Sequence, residues 1–301
     1  MKAAVADYAN TPRWQDIADP EPLDGHMPVR MSAVAIHNLA RGVAAGAHYS
    51  SPADDGFVIG VDGVGRTDDG ARVYFNYPGT VAEQVYVPAA ALVPIPDGLT
   101  DEQAAAVVNA AMSSWMAMRV RTQVRPGQTV LVLGATGASG RLAVPLARHL
   151  GARVIAAGRN QEILQSLNAD ATVDLRGTDD EIRAALHREK IDLVIDYVWG
   201  HPAELTLESL AKRGPATYVE VGAMAGATVT LPAALLRSTD VTILGSGLGS
   251  FTPAQFLAER PAILQAAVEL GLTVDVTTRP AAEIADAWSA DLANSRLVLT
   301  L

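Results

Sequence analysis

The first hundred residues carry short apolar segments separated by glycine, proline and Asp-Gly breaks. Two strands are predicted, from Lys2 to Val5 and from about Val29 to Ile36. Further short strands are predicted where β-branched or alternating residues lie between breaks, within Gly56 to Gly65, Arg72 to Asn76 and Val81 to Val87. Since no helix-length pattern is clear before residue 100, this part is predicted to be a compact, mostly β unit.

A proline-rich segment from Val93 to Gly98 ends this unit, and a different pattern follows. Thr100 and Gln103 have the spacing of a capping box, which predicts a long helix from about Asp101 to Arg119. Beyond it, apolar strands alternate with helical stretches, as is typical of a parallel sheet covered on both faces. The predicted strands are Thr129 to Leu133, Arg153 to Ala157, Ile191 to Tyr197, Thr217 to Val221 and Val241 to Leu244.

The pattern therefore predicts an α/β protein of two domains. A Rossmann-type, doubly wound parallel sheet is expected over residues 104–269, and a smaller, mostly β domain over residues 1–103 and 270–301. The second piece of the smaller domain is inferred from short elements that could return to the β unit, at Thr273 to Thr278, Ala281 to Leu292 and Leu297 to Leu301.

Composition narrows the classes of partner and site. The 301 residues are 49% hydrophobic, enough to bury ordinary cores, and their formal charge of -10 would repel nucleic acid. The chain has no cysteine, which excludes disulfides and thiolate zinc ligands. Asp7 interrupts any apolar signal-peptide core, and no segment reaches the roughly 18 apolar residues of a membrane span. We therefore expect a cytoplasmic protein without membrane or nucleic-acid partners.

The most informative segment is a strand that runs directly into a Gly-rich turn and then a helix, at Val130 to Gly140. A dinucleotide-binding fingerprint requires that context, because the glycines let the main chain approach a pyrophosphate at the start of the helix. The residues expected to bind the cofactor here are Ala135, Thr136, Gly137, Ala138, Ser139 and Gly140. The alternative is a tight turn in another α/β protein, and Pro145 is expected to bend the predicted helix.

The end of the next strand predicts which dinucleotide is bound. Enzymes that use NAD usually place Asp or Glu about 20 residues beyond the glycines, where it binds the ribose 2′-hydroxyl. Here Arg159 lies nineteen residues beyond Gly140, between Gly158 and Asn160, and its guanidinium suits a 2′-phosphate. NADPH is therefore the predicted cofactor, bound in part by residues 158 to 160. The alternative is a solvated arginine at a strand end.

Motifs along the chain resemble those of the medium-chain dehydrogenase/reductase superfamily, in particular its zinc-independent quinone oxidoreductase branch. Besides the Gly-rich turn, these motifs are Met1 to Val5, Val34 to Asn38, Gly60 to Gly65, Ile195 to Gly200 and Leu297 to Thr300. Their order and spacing cover nearly the whole chain. The resemblance implies that the smaller domain is GroES-like and binds the substrate.

The resemblance also implies the chemistry of the site. The catalytic zinc ligands of related alcohol dehydrogenases fall on Asn38, Val61 and Asn109, and their proton-relay hydroxyl falls on Ala40. We therefore expect no metal and no simple alcohol oxidation. The expected reaction is hydride transfer from NADPH to a quinone or an α,β-unsaturated carbonyl, with the protein supplying position and hydrogen bonds to the developing oxygen anion.

The resemblance further assigns roles near the nicotinamide to three polar residues and one glycine. Asn38 is expected to donate to a substrate carbonyl, Ser113 to contact the nicotinamide, and Tyr49 to donate a proton or stack on the substrate. The backbone at Gly222 is expected to lie against the carboxamide. Each polar residue also has a plainer interpretation: a turn asparagine, a serine bonded to its own helix, and a surface tyrosine.

His37 and Asp62 are ionisable residues that we expect to be structural. His37 lies in an apolar strand, where a satisfied core histidine is the more common case. Asp62 precedes a glycine, as in ordinary turns.

Alternatives to a quinone reductase stay open at this point. One is an enoyl or alkene reductase of biosynthesis with a bulkier substrate, and another is a non-catalytic NADPH-binding protein. A short-chain-reductase-like fold is a third, but the Gly-rich turn lies behind a complete β unit, whereas such folds open with it.

Self-association is also predicted. The strand Val241 to Leu244 is the last of the parallel set and would leave an exposed apolar edge. Pairing of residues 241–246 with their copy in a second chain would cover that edge, so we expect a homodimer.

Overall fold

A computed structural model describes residues 1–8, 10–211, 213–292 and 295–301. It divides into two compact units, one formed by Met1–Asn109 with Arg260–Leu301 and the other by Ala110–Glu259. The sequence predicts domain limits after residue 103 and before residue 270. They lie within or at the end of two helices, Asp101–Met116 and Pro253–Glu269, and the limits of the two units lie in the same helices. The domain boundaries after residue 103 and before residue 270 stay a prediction.

Strands and helices are numbered here along the described part of the chain. The strands are β1 (Lys2–Asp7), β2 (Asn10–Asp16), β3 (His26–Ile36), β4 (Gly63–Arg66), β5 (Arg72–Phe75), β6 (Gln84–Pro88), β7 (Val93–Pro94), β8 (Thr129–Leu133), β9 (Arg153–Gly158), β10 (Ala171–Asp174), β11 (Leu193–Asp196), β12 (Ala216–Glu220), β13 (Val241–Gly245), β14 (Val276–Pro280) and β15 (Arg296–Thr300). The helices are α1 (Asn38–Ala44), α2 (Asp101–Met116), α3 (Ala138–His149), α4 (Gln161–Ser166), α5 (Asp179–His187), α6 (Gly200–Leu210), α7 (Ala233–Ser238), α8 (Pro253–Glu269) and α9 (Ile284–Trp288).

The first unit is built on a seven-stranded sheet in the order β14-β15-β3-β4-β5-β7, with β6 also paired to β3. Apart from the parallel pair β14 and β15, its strands pair antiparallel. The last strand of the chain, β15, pairs with β3, and Leu297 lies opposite Ile36. The C-terminal segment therefore returns to the β unit, as expected from the sequence. Its apolar side chains join a core that includes Val29, Phe75 and Leu299, each fully buried.

The second unit is a six-stranded parallel sheet in the order β10-β9-β8-β11-β12-β13. The chain starts in the middle at β8, runs outward to β10, and then returns to the centre at β11 before running out to β13. Every residue of β8 and β11 is buried, because helices cover both faces of such a sheet. This is the predicted doubly wound arrangement, and its topological switch point lies between β8 and β11.

Several local predictions were wrong. Helix α1 lies where no helix was expected, and the four-residue strand β10 was missed. Helix α2 ends at Met116 and continues as a π-helical turn, Ala117–Arg121, instead of running regularly to Arg119. Short elements such as α1 and β10 bury too few residues to show a period in the sequence.

The capping box at the start of α2 is only half present. The backbone N–H of Gln103 donates to Thr100 Oγ1 at 3.2 Å, as predicted. The Gln103 side chain does not complete the box, because it bonds both backbone groups of Val274, at 3.1 and 3.3 Å. A tertiary partner has therefore replaced the local one.

Candidate functional site

Ligands of doubly wound sheets bind at the carboxyl ends of the strands, beside the switch point. The Gly-rich segment lies there, directly after β8. Gly134 has a φ of 84°, a left-handed conformation that glycine adopts without strain, and Gly137 N–H donates to Gly134 O at 3.0 Å. Gly137 is the N-cap of α3 and makes no side-chain capping bond. The first N–H groups of a helix have no partner within the helix, so this turn is suited to bind an anion.

The glycines of the turn differ in what surrounds them. A Cβ at Gly140 would collide with the backbone of the turn itself, coming within 2.7 Å of Ala135 Cα. Gly140 therefore allows the start of α3 to pack against the turn. A Cβ at Gly137 would meet only Gly134 O, at the ordinary contact distance of 3.5 Å, which leaves the side of the turn at Gly137 open. Helix α3 continues through Pro145, and Leu142 and Leu146 are buried on one face.

Gly158, at the end of β9, packs against the Gly-rich turn. A Cβ there would lie 2.6 Å from Thr136 Cγ2, so the space left by Gly158 is filled by the Thr136 side chain. The carbonyl of Thr136 also accepts a hydrogen bond from Arg141 Nε at 3.2 Å. The packing of Thr136 on Gly158 fixes the Gly-rich turn against the neighbouring strand, and the bond from Arg141 fixes it to α3.

Arg159 and Asn160 follow at the same sheet edge. Arg159 is exposed and has no hydrogen bond or ion pair with any of the residues that the structure describes. The arginine at the end of the next strand, Arg176, is instead held by both oxygens of Asp174, which lowers the pKa of that carboxyl to about 2. Asn160 caps α4 by accepting from Ile163 N–H at 3.1 Å. Of these side chains, Arg159 is therefore the cation that could meet a ligand.

Ser113 is bonded to its own helix and to a tyrosine that sequence reasoning did not single out. Its Oγ lies 3.0 Å from Ala110 O and 3.1 Å from Tyr197 Oη. Ser113 is therefore bonded to its own backbone, as in the plainer interpretation, and its role toward the nicotinamide stays a prediction. Tyr197 directly follows β11, on the far side of the switch point from the Gly-rich turn.

The turn that begins at Tyr197 is held by a buried carboxylate. Asp196 accepts from Val198 N–H at 2.7 Å, from Trp199 N–H at 3.1 Å and from the Tyr218 hydroxyl at 2.7 Å. Burial raises the pKa of Asp196, while these three donors act in the opposite direction. The bonds hold Trp199 at a φ of 51°, which costs energy for a residue with a side chain. Asp196 therefore fixes the backbone beside the switch point.

Gly222 lies just past the end of β12, against the same turn. Its N–H donates to Asp196 O at 3.1 Å, and a Cβ there would lie 3.3 Å from Tyr197 O. Most of the residues predicted for the site in the second unit therefore lie along one edge of its parallel sheet. These predicted residues are Ser113, those of the Gly-rich turn, Arg159, Asn160 and Gly222.

The remaining residues predicted for the site lie in the first unit. Asn38 is the exposed first residue of α1, and Tyr49 is 72% exposed with its ring 4.0 Å from that of His48. The exposure of Tyr49 is typical of a surface tyrosine.

His37 and Asp62 are buried and structural, as expected. His37 Nε2 lies 2.9 Å from Asp62 Oδ1, and its Nδ1 accepts from Ala40 N–H, so the ring is the N-cap of α1. Asp62 also accepts from the Tyr74 hydroxyl at 2.7 Å, and burial raises the pKa of Tyr74 well above its usual value. His37 is therefore held as a helix cap at the end of β3, immediately before Asn38.

Two further features of the described residues concern metals and membranes. Among those residues, no group of three or more His, Cys, Asp or Glu side chains is placed to hold a metal ion. No helix in the described part of the chain combines the length and the hydropathy needed to cross a bilayer.

Known proteins are similar to this chain in sequence and in fold. Residues 138–269 match the family model described as "Zinc-binding dehydrogenase". The chain is 30% identical to the "Probable NADPH-dependent quinone reductase tdiC" of Emericella nidulans, with 96% of each protein covered. The chain belongs to the medium-chain dehydrogenase/reductase superfamily and is quinone oxidoreductase-like.

Solved structures of quinone oxidoreductases have the same fold as this chain. The quinone oxidoreductase of Thermus thermophilus, which was also solved as a complex with NADPH, has a TM-score of 0.85 at 29% identity over 100% of both chains. A mycobacterial quinone oxidoreductase with 23% identity and a TM-score of 0.85 shows the same fold. A phenolphthiocerol/phthiocerol polyketide synthase protein of Mycobacterium tuberculosis is 30% identical over 87% of this chain, which corresponds to only 14% of that protein.

Proposed function

We propose that this oxidoreductase uses NADPH to reduce a quinone or an α,β-unsaturated carbonyl without a metal ion. The observation that carries the proposal is the order of groups along the sheet edge. Arg159 follows β9, the Gly-rich turn follows β8, and Gly222 follows β12. A dinucleotide lies across the switch point of such a sheet, so these groups suit a 2′-phosphate, a pyrophosphate and a nicotinamide in that order. The relatives whose names include NADPH support the same cofactor.

The residues of this chain would bind and orient both reactants. Bound NADPH would supply a hydride. Ala135 to Gly140 and the start of α3 would hold the pyrophosphate, residues 158 to 160 the adenosine end, and Ser113 and Gly222 the nicotinamide. Asn38 would donate a hydrogen bond to the substrate carbonyl, and Tyr49 would stack on the substrate or supply a proton.

The description of the matched family model includes zinc binding, but the residues of this chain are not suited to bind zinc. The chain contains no cysteine. The positions that match the catalytic zinc ligands of related alcohol dehydrogenases are Asn38, Val61 and Asn109. Amide oxygens and an alkyl group are poor ligands for zinc. Positioning and hydrogen bonds would therefore carry the reaction.

Two alternative functions can be separated from this proposal by experiment. The likeness to part of a polyketide synthase favours an enoyl reductase whose substrate is an acyl thioester. A non-catalytic NADPH-binding protein would use the same sheet edge without reducing anything.

One assay separates the three functions. NADPH oxidation is followed at its absorbance maximum with a panel of quinones, simple enones and enoyl thioesters. We expect turnover with quinones or enones and little turnover with thioesters. Turnover confined to thioesters would replace the proposal with the enoyl reductase, and binding of NADPH without oxidation by any acceptor would replace it with the non-catalytic protein.

We also propose a homodimer formed through residues 241–246. Strand β13 lies at one end of the parallel sheet and pairs on one side with β12, and its residues are partly or fully exposed. A second copy of β13 would bond the open edge and cover its apolar side chains. Light scattering at micromolar concentration is expected to give twice the mass of one chain. A monomeric mass would show that the edge stays open.

A further inference from the structure

Tyr197 lies at the point where three segments of the second unit meet. Its N–H donates to Leu133 O at 3.1 Å, at the end of β8. A Cβ placed on Gly134 would lie 3.3 Å from Tyr197 Cβ, and one placed on Gly222 would lie 3.3 Å from Tyr197 O. The carboxyl ends of β8, β11 and β12 therefore converge on this one residue. It lies on the β11 side of the switch point, opposite the half that carries Arg159.

The hydroxyl groups of Tyr197 and Ser113 can be assigned as donor and acceptor. A hydroxyl has one proton to donate, and a backbone carbonyl can only accept. Ser113 Oγ is 3.0 Å from Ala110 O, so the Ser113 proton is directed to that carbonyl. With the Ser113 proton used in this way, the Tyr197 hydroxyl is assigned as the donor to Ser113 Oγ across the 3.1 Å contact, and Ser114 is a second hydrogen-bond partner of the same phenol. Burial raises the pKa of Tyr197, so its phenol keeps this proton at neutral pH.

This assignment decides what Ser113 can offer to a ligand. With its proton used within the helix, Ser113 Oγ has only lone pairs left, one of which accepts from Tyr197. Any further polar contact of Ser113 is therefore with a donor. The nicotinamide end of the cofactor carries such a donor, the N–H₂ of its carboxamide.

We propose that Tyr197 is a cofactor-positioning residue, whose phenol holds Ser113 so that the Ser113 oxygen accepts a hydrogen bond from the nicotinamide carboxamide. This inference rests on the proposed use of NADPH. It adds Tyr197, which lies 84 residues from Ser113 in sequence, to the cofactor site.

The test compares the binding of two reduced cofactors. One is NADPH, and the other is its 3-acetylpyridine analogue, in which a methyl group replaces the amide nitrogen. Dissociation constants are measured by calorimetry for the native chain, Tyr197→Phe, Ser113→Ala and the double variant. We expect the native chain to prefer NADPH about threefold to tenfold, the range of one net hydrogen bond. Each variant should lose most of that preference, and the double variant should lose no more than Ser113→Ala.

Two controls separate positioning from general damage. Ser209 is another buried helix serine of the second unit, bonded to Leu205 O at 2.7 Å, and Ser209→Ala is expected to keep the native preference. 2′,5′-ADP has no nicotinamide and should bind Tyr197→Phe as tightly as it binds the native chain. An equal loss of affinity for NADPH and the analogue, or an unchanged preference in Tyr197→Phe, would overturn the proposal. Failure of the native chain to bind either cofactor would instead refute the use of NADPH itself.

Discussion

Replacing Arg159 with alanine is expected to weaken NADPH binding by about 10- to 150-fold, the range of hydrogen bonds to a charged group. The exposed guanidinium has no partner among the described residues, so its full bonding capacity is available to a 2′-phosphate. NADH lacks that phosphate, and its affinity should change less than twofold. Calorimetric titration of both nucleotides at low and at physiological salt measures the effect, which should shrink as salt screens the exposed charge.

Arg176 provides the matched control. It also follows a strand at the carboxyl edge of the sheet, but Asp174 already binds its guanidinium through two hydrogen bonds. Arg176→Ala is therefore expected to leave the affinities for NADPH and NADH nearly unchanged. If Arg159→Ala weakened both nucleotides equally, or if Arg176→Ala reproduced its effect, the assignment of the 2′-phosphate site to Arg159 would be wrong.

Alanine at Gly140 and at Gly137 is expected to separate stability from binding. At Gly140 the added methyl group would collide with the backbone of Gly134 and Ala135, which cannot move without breaking the turn. We expect a loss of about 3 kcal/mol in the free energy of unfolding, near the upper end for an overpacked site. At Gly137 the methyl group meets no atom closer than 3.5 Å, so the stability should stay within about 0.5 kcal/mol.

Gly137→Ala is expected to weaken NADPH binding although it leaves the stability nearly unchanged. The methyl group of Gly137→Ala would occupy the open side of the turn, where the pyrophosphate is proposed to approach, and we expect affinity to fall at least about tenfold. Urea unfolding and calorimetric titration of both variants measure the two quantities. Native affinity in a stably folded Gly137→Ala protein would show that the pyrophosphate lies elsewhere.

Structural features that depend on short stretches of the chain could be predicted from the sequence. The apolar strand before the Gly-rich turn, the turn itself and the alternation of strands with helices gave the fold class, because backbone conformation and burial leave a local period. Arg159 was predictable as a candidate because its distance from Gly140 is fixed by one helix and one strand. The lack of thiolate ligands follows from composition alone.

Roles that depend on partners far away in sequence were not predictable. The side chain that fills the space at Gly158 is Thr136, which belongs to a different turn of the chain. Gln103 was expected to close a capping box, but it bonds Val274. In both cases the partner was brought near only by folding.

The sequence by itself thus determined the kinds of elements, the position of the glycine turn and the candidate cation for the cofactor phosphate. Tertiary structure alone decided the order of the strands, and through it the meeting of Tyr197 with Ser113 and Gly222. The physical reason is that an apolar period shows how deeply a strand is buried but carries no information about which strand lies beside it. That choice depends on how all the buried faces pack together.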